Sequence, residues 1–291
     1  MIVEGAIGDA YGAGFEFADR AVIEAHNNLS GYIPHPVYAS INQKYTDDTQ
    51  MAVALVELIL SGNDWNSLNI ANAFVTSFKR DPREGYARRF YAFLTEIETG
   101  QDLLDKIISK SERNGAAMRA YPLGALHDIQ QIKEWSRIQA EVTHQTQNAV
   151  VAAEAIALIS HFFIYDLGTK EELLDFVRNH TGHNWAGSWK TEVETNAIQT
   201  VEAVLDIMIS GKKLSQMLID SVNLGGDVDT VASLVLAIGS ASKGYENDLP
   251  QNLYDDLEND KFGRDYLIQL DQKWASFVQD QLNNRGAFPQ T

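Results

Sequence analysis

The sequence predicts an all-α fold, on three observations. Apolar residues recur with helical spacing almost everywhere. No stretch of useful length alternates apolar and polar residues as a half-buried strand would. Clusters of Gly, Pro and Asn punctuate the helical pattern. From the N-terminus, Gly5, Gly8, Gly12 and Ala13 lie in a segment whose small residues would let one helix pack very close to another. A helix starting near Gln50 follows. Met51, Ala54, Leu55, Leu58 and Ile59 make one face of it, and Val53, Val56 and Leu60 cover much of the rest. Residues 149–165 and 228–241 are similarly apolar all round, as helices at the centre of a bundle are. Toward the C-terminus, Tyr266, Leu270, Trp274 and Val278 form a stripe at four-residue spacing, with Asp265, Asp271 and Lys273 expected on the exposed side.

Breaks fall at Gly31–Pro36, Asp81–Pro82, Asn114–Gly115, Thr181–Gly187, Gly225–Gly226 and Pro250. The longest irregular stretch runs from about Gly14 to Asp48, and loops of that length in compact proteins are usually functional. Nothing between the breaks resembles a linker, so residues 1–291 are expected to form a single domain. A chain of 291 residues, 45% hydrophobic, can bury a sizeable core. It has no cysteine, which excludes disulfides, zinc–thiolate sites, iron–sulfur clusters and a cysteine nucleophile, and suits a cytoplasmic location. The formal net charge of −17 opposes non-specific binding to nucleic acid. Residues 1–13 carry Glu4 and Asp9 but no base, unlike the start of a signal peptide. No apolar run is expected to span a membrane, because Glu57, Glu154 and Ser233 interrupt the longest ones.

Two segments carry the chemistry. Thr46-Asp47-Asp48-Thr49 precedes one of the most apolar helices, and Gly225-Gly226-Asp227-Val228-Asp229-Thr230 precedes another. Helix capping explains a single hydroxyl or carboxylate at such a position. It does not explain three or four oxygen side chains at each of two helices whose ends should lie near the core. Carboxylates crowded there repel one another unless cations neutralise them. Ligands that are all oxygen select a hard divalent ion such as Mg²⁺ or Mn²⁺. The basic set Lys79, Arg80, Arg83, Arg88 and Arg89 is read as a solvated helix face.

Taken in order, Gly8-Asp9-Ala10-Tyr11-Gly12 with Glu16, Thr46-Asp47-Asp48-Thr49, Asn114-Gly115-Ala116-Ala117-Met118-Arg119, Thr143-His144 and Gly225-Gly226-Asp227-Val228-Asp229-Thr230 resemble the ADP-ribosylglycohydrolase family. The resemblance covers roughly Gly5 to Gly244, and Arg80-Asp81-Pro82-Arg83-Glu84-Gly85-Tyr86 also looks like a stretch of bacterial members. It implies an orthogonal multi-helix bundle with a binuclear centre of two divalent cations, Mg²⁺ or Mn²⁺. Thr46, Asp47, Asp48, Asp227, Asp229 and Thr230 are the implied metal ligands. Glu16, Asp47 and Asp48 are the implied catalytic acids, and the choice of general base among them stays open. Ser111, Asn114, Gly115, Ala116 and His144 are the implied substrate contacts. The loop from Asn114 is expected to open into a helix over Met118–His127 whose first N–H groups suit a diphosphate.

The implied activity is removal of ADP-ribose from a modified protein or small molecule. A non-catalytic ADP-ribose binder, a crystallin-like protein and an immunity protein against an ADP-ribosyltransferase are the alternatives. One departure stands out: many members carry a second histidine two residues after His144, where this chain has Thr146.

Overall fold

The smallest side chains of the first helix determine the centre of the molecule. In the computed structural model, which describes residues 1–284, α1 (Ile2–Ala13) lies against α12 (Val228–Ala241) with the two backbones touching. A Cβ on Gly8 would sit 2.3 Å from the Ala232 carbonyl oxygen, and one on Gly12 would sit 2.4 Å from the Asp229 Cα. No side chain larger than hydrogen fits at either position. The small-residue spacing therefore did signal a helix–helix contact.

Around this pair run α2 (Arg20–His26), α3 (Asp47–Ser61), α4 (Ser67–Arg80), α5 (Arg88–Glu96), α6 (Gly100–Lys106), α7 (Ile129–Glu141), α8 (Gln147–Ile164), α9 (Leu173–Thr181), α10 (Ala197–Ser210), α11 (Leu214–Leu224), α13 (Gln251–Asp255) and α14 (Arg264–Asn284). Among the described residues there is no strand, and β-type pairing is confined to isolated bridges such as Val193 with Gly226. The all-α expectation holds.

Two apolar clusters form the interior, and α3 belongs to both. Its Ala52, Val53 and Val56 pack with α1, α8 and α12, while Met51, Ala54, Leu55 and Leu58 pack with Phe74, Phe78 and Leu94. A helix covered on both sides must be apolar all round, which is the pattern its sequence carries. Its N-terminus, with its acids, consequently opens where the two clusters meet.

Several expectations need correction. Residues 118–127 are not a helix. After a 3₁₀ turn at Asn114–Ala116 they hold a second at Tyr121–Ala125, and α7 begins only at Ile129. Pro122 supplies no N–H, and Gly124 presses so closely on α8 that a Cβ would come 2.5 Å from the His161 nitrogen. The 14–48 stretch contains α2. Asp271 is not an exposed residue: it is half-buried and accepts the Ile2 and Val3 N–H groups at 3.1 and 3.3 Å, capping α1.

The basic set is not one solvated face either. Arg83 is buried over the Tyr45 ring and bonded to Asp81 and Glu258, and Arg80 pairs with Glu57 at 2.7 Å. Only Arg88 and Arg89 are exposed. Finally, α8 is long and apolar enough to cross a membrane by length and composition, with mean hydropathy 1.4. Here it is a core helix, 67% buried, and Glu154 does not break it.

Candidate metal centre and substrate site

Asp9 is the hinge between the two acidic segments. It lies on α1, wholly buried, and its carboxylate accepts four hydrogen bonds from the start of α3. The Thr46 and Thr49 N–H groups approach at 3.0 Å, the Thr46 hydroxyl at 2.8 Å and the Thr49 hydroxyl at 2.6 Å. Because Asp9 satisfies the orphan donors at this helix end, α3 starts at Asp47, earlier than the apolar pattern suggested. It also means that Asp47 and Asp48 are not needed as caps. Asp9 was quoted in the sequence pattern without a role. The signal for it, a lone acid among small residues on a buried helix, was present.

Gly225 and Gly226 make the turn that aims the second acidic segment. Both have positive φ, 77° and 85°, and a Cβ on Gly226 would lie 2.1 Å from the Val193 carbonyl oxygen. The Asp227 N–H then donates to that oxygen at 2.7 Å, and the Gly226 carbonyl accepts the Phe17 N–H at 2.8 Å. This last bond ties the residue after Glu16 to the residue before Asp227.

The result is one acidic cluster. Oxygens of Glu16, Asp227 and Asp229 lie within 4.8 Å of one another. Asp48, Asp227 and Asp229 are buried, and Asp47 and Glu16 are half-buried. Burial first, then neighbouring acids, pushes the Asp47, Asp48 and Asp229 carboxyls well above the usual carboxylate range. Burial and then Glu16 push Asp227 up to about 7, against the opposing bonds from Asn114, Asp229 and Thr230. Asp48 Oδ1 and Asp229 Oδ1 are buried with no hydrogen-bond partner. Two orphaned carboxylate oxygens, one from each segment, in a cluster of like charges fit a divalent cation and fit nothing apolar.

Glu16 has its own support. His35 Nδ1 accepts the Val37 and Tyr38 N–H groups at 2.9 and 3.1 Å, so its ring proton is on Nε2, which donates to Glu16 Oε2 at 2.7 Å. His35 sits between Pro34 and Pro36 in the irregular stretch and gave no usable signal of this pairing in the sequence.

The implied substrate residues occupy the adjoining loop. Asn114 is buried, and its amide donates to the Thr200 hydroxyl at 3.0 Å and to Asp227 Oδ2. Its side chain is therefore engaged with the acidic cluster rather than pointed at a ligand. Ala116 is fully buried and its carbonyl oxygen already accepts the Gln139 side-chain N–H at 2.9 Å, so the structure does not turn it toward a ligand. Ser111 is half-buried and braces the loop by accepting the Arg113 N–H at 3.1 Å. His144, half-buried, stands against Gly115: a Cβ there would meet the His144 Cε1 at 2.9 Å. Without the expected helix over 118–127, the diphosphate reading loses its helix end and rests on the short turn alone.

Comparison with known proteins gives a consistent picture. A family model described as ADP-ribosylglycohydrolase matches residues 1–285. The ADP-ribosyl-[dinitrogen reductase] glycohydrolase of Rhodospirillum rubrum is 25% identical, covering 91% of each chain. ADP-ribosylhydrolase ARH3 of Xenopus tropicalis is 25% identical over 89% of this chain and 92% of that protein. An ADP-ribosylarginine hydrolase of Pseudomonas putida is 24% identical over 84% of this chain and 70% of its own. A solved structure titled as an ADP-ribosylglycohydrolase-related protein complex superposes with TM-score 0.72 at 22% identity, covering 96% of both chains, and shares the fold.

Proposed function

The chain belongs to the ADP-ribosylglycohydrolase family, and from that premise we propose that it hydrolyses the bond between ADP-ribose and an acceptor in a cation-dependent reaction. The observation that carries this reading is the pair of orphaned oxygens, Asp229 Oδ1 inside the Glu16–Asp227–Asp229 cluster and Asp48 Oδ1 on the neighbouring α3 segment, whose carboxyl is bonded to Thr230. Thr46, Asp47, Asp48, Asp227, Asp229 and Thr230 would hold two divalent cations, Mg²⁺ or Mn²⁺. When bound, such cations orient the vicinal hydroxyls of the distal ribose and polarise water.

The chain's own residues supply the rest. Departure of the acceptor leaves positive charge at the anomeric carbon, which the surrounding carboxylates stabilise. Glu16, fixed at Oε2 by the His35 Nε2–H, is a carboxylate available to take a proton from the attacking water or to pass one to the leaving acceptor. Asp47 and Asp48 are the other candidates; Gly85 lies against Asp47 so tightly that a Cβ would approach its Oδ1 to 2.7 Å. The Gly115 turn and His144 would receive the diphosphate. The relatives act on different acceptors by their names, so the shared ADP-ribosyl group is the part of the substrate this site is built for; the acceptor is a protein or a small molecule.

Mass spectrometry of an ADP-ribosylated protein before and after treatment tests the proposal. Wild-type protein with Mg²⁺ or Mn²⁺ should remove the ADP-ribosyl mass, and Asp229→Ala should not, while its helical circular-dichroism signal is retained. An active Asp229→Ala protein would contradict the reading.

A further inference from the structure

Arg119 has an environment that calls for explanation. Its side chain is 1% exposed, its guanidinium lies 4.4 Å over the Phe74 ring, and no carboxylate pairs with it among the described residues. A buried cation without an anion is costly, and an apolar side chain would fill the same volume at lower cost. Burial accordingly lowers its pKa to about 9. A guanidinium offers donors and no acceptor. It spends them on the Gln139 side-chain and backbone oxygens at 2.7 and 2.9 Å, and on the Thr143 hydroxyl oxygen at 2.7 Å.

That last bond occupies one of the two lone pairs of the Thr143 oxygen. The Thr143 hydrogen is then the free partner of the contact with His144 Nδ1, 2.7 Å away, in competition with an Nδ1–H donating to the second lone pair. We propose that Arg119 is a positioning residue that, through the Thr143 hydroxyl, fixes His144 as the tautomer with its proton on Nε2. This rests on the reading of His144 as a ligand contact only for its consequence, not for its geometry. The ring is held neutral, since burial and the nearby Arg119 and Arg113 charges push its pKa down to about 3. It therefore presents Nε2–H as a permanent donor beside the Gly115 turn, where Nε2 would lie 3.3 Å from a Cβ on that glycine. A phosphate or ribose oxygen is the acceptor class that matches such a donor. A ring with its proton on Nδ1 would instead offer a lone pair and repel a phosphate oxygen.

Long-range ¹H–¹⁵N correlation spectra of histidine-labelled protein test this without any turnover, with His144→Gln assigning the signal. Wild type and Thr143→Ser should show an unprotonated Nδ1 and a protonated Nε2 at His144. Thr143→Val, which keeps the shape and loses the hydroxyl, and Arg119→Met should both show mixed tautomers. In the hydrolase assay Thr143→Val should raise KM about tenfold, the effect of one lost hydrogen bond, with kcat little changed. Thr143→Ser should restore KM. A proton on Nδ1 in the wild type overturns the proposal. So does a wild-type ring signal in Thr143→Val or in folded Arg119→Met. If Arg119→Met does not fold, the Thr143 pair still decides. A protein with no hydrolase activity leaves the spectra to judge the tautomer and counts against the proposed function alone.

Discussion

Removing divalent cations should make the protein less stable as pH rises, opposite to the usual behaviour of carboxylates. Without a cation, burial and the neighbouring Glu16 push the Asp227 carboxyl up to about 7 from an ordinary value of 3.8. The folded state thus holds this proton more tightly than the unfolded state does. Between those two values the native protein binds more protons than the unfolded chain, so stability falls with rising pH. The contribution is intact below about pH 4 and wholly lost above about pH 7. The full loss is about 4 kcal/mol for this one group, at 1.36 kcal/mol for each pH unit. Asp47, Asp48 and Asp229 push in the same direction.

A cation that binds the ionised carboxylates removes the loss and competes with protons at low pH. At about 2–4 °C for each kcal/mol in a domain of this size, the cation-induced rise in Tm should reach roughly 10 °C at pH 7.5 and shrink toward pH 5. Circular-dichroism melts in EDTA and in MgCl₂ or MnCl₂ across this range measure it. Equal melting temperatures with and without cation at pH 7.5 would refute the reasoning, as would a cation effect that grows toward low pH.

Three further outcomes are expected. Asp9→Asn should lower stability by about 1–3 kcal/mol, because an amide cannot accept from the same four donors, and should cost activity by loosening the start of α3; urea unfolding and turnover measure the two effects. Gly12→Ala should destabilise by about 1–3 kcal/mol through overpacking against the Asp229 backbone, and the residual folded protein should bind cations more weakly by calorimetry than wild type does. Chelator should weaken ADP-ribose binding strongly and AMP binding little if, as proposed, only the distal ribose reaches the acidic cluster; equal losses in calorimetry would contradict that division of the site.

What was legible in the sequence was local. Thr46–Thr49 and Gly225–Thr230 each put oxygen side chains at the head of an apolar helix, and the structure brings Asp48 of the first against Asp227 and Thr230 of the second. The glycine spacing of α1 was legible for the same reason, since one helix face repeats within a dozen residues. What escaped depends on partners far along the chain. Nothing near Asp9 announces that its acceptor capacity is consumed by Thr46 and Thr49, and nothing near His35 announces Glu16. The segment 118–127 misled because its apolar content suits a helix, whereas tight packing of Gly124 on α8 and the missing N–H of Pro122 impose turns. Arg83 misled because four other bases, Lys79, Arg80, Arg88 and Arg89, lie nearby. Its burial follows from Tyr45 and Glu258, on segments distant in sequence.

The contact between α1 and α12 also has a bearing on how the chain acquires its shape. The two helices are far apart in sequence, and their contact at Gly8 and Gly12 leaves no room for a Cβ. A growing polypeptide emerging from the ribosome would carry α1 with its glycine face unmatched until α12 is made. Asp47 and Asp48 would still be hydrated, far from Asp227 and Asp229. The like charges confront one another only when the final third arrives and closes the gap. Electrostatic repulsion is thus deferred until α12 joins the core, and the apolar residues that α12 buries against α1, α8 and α11 at the same moment offset it.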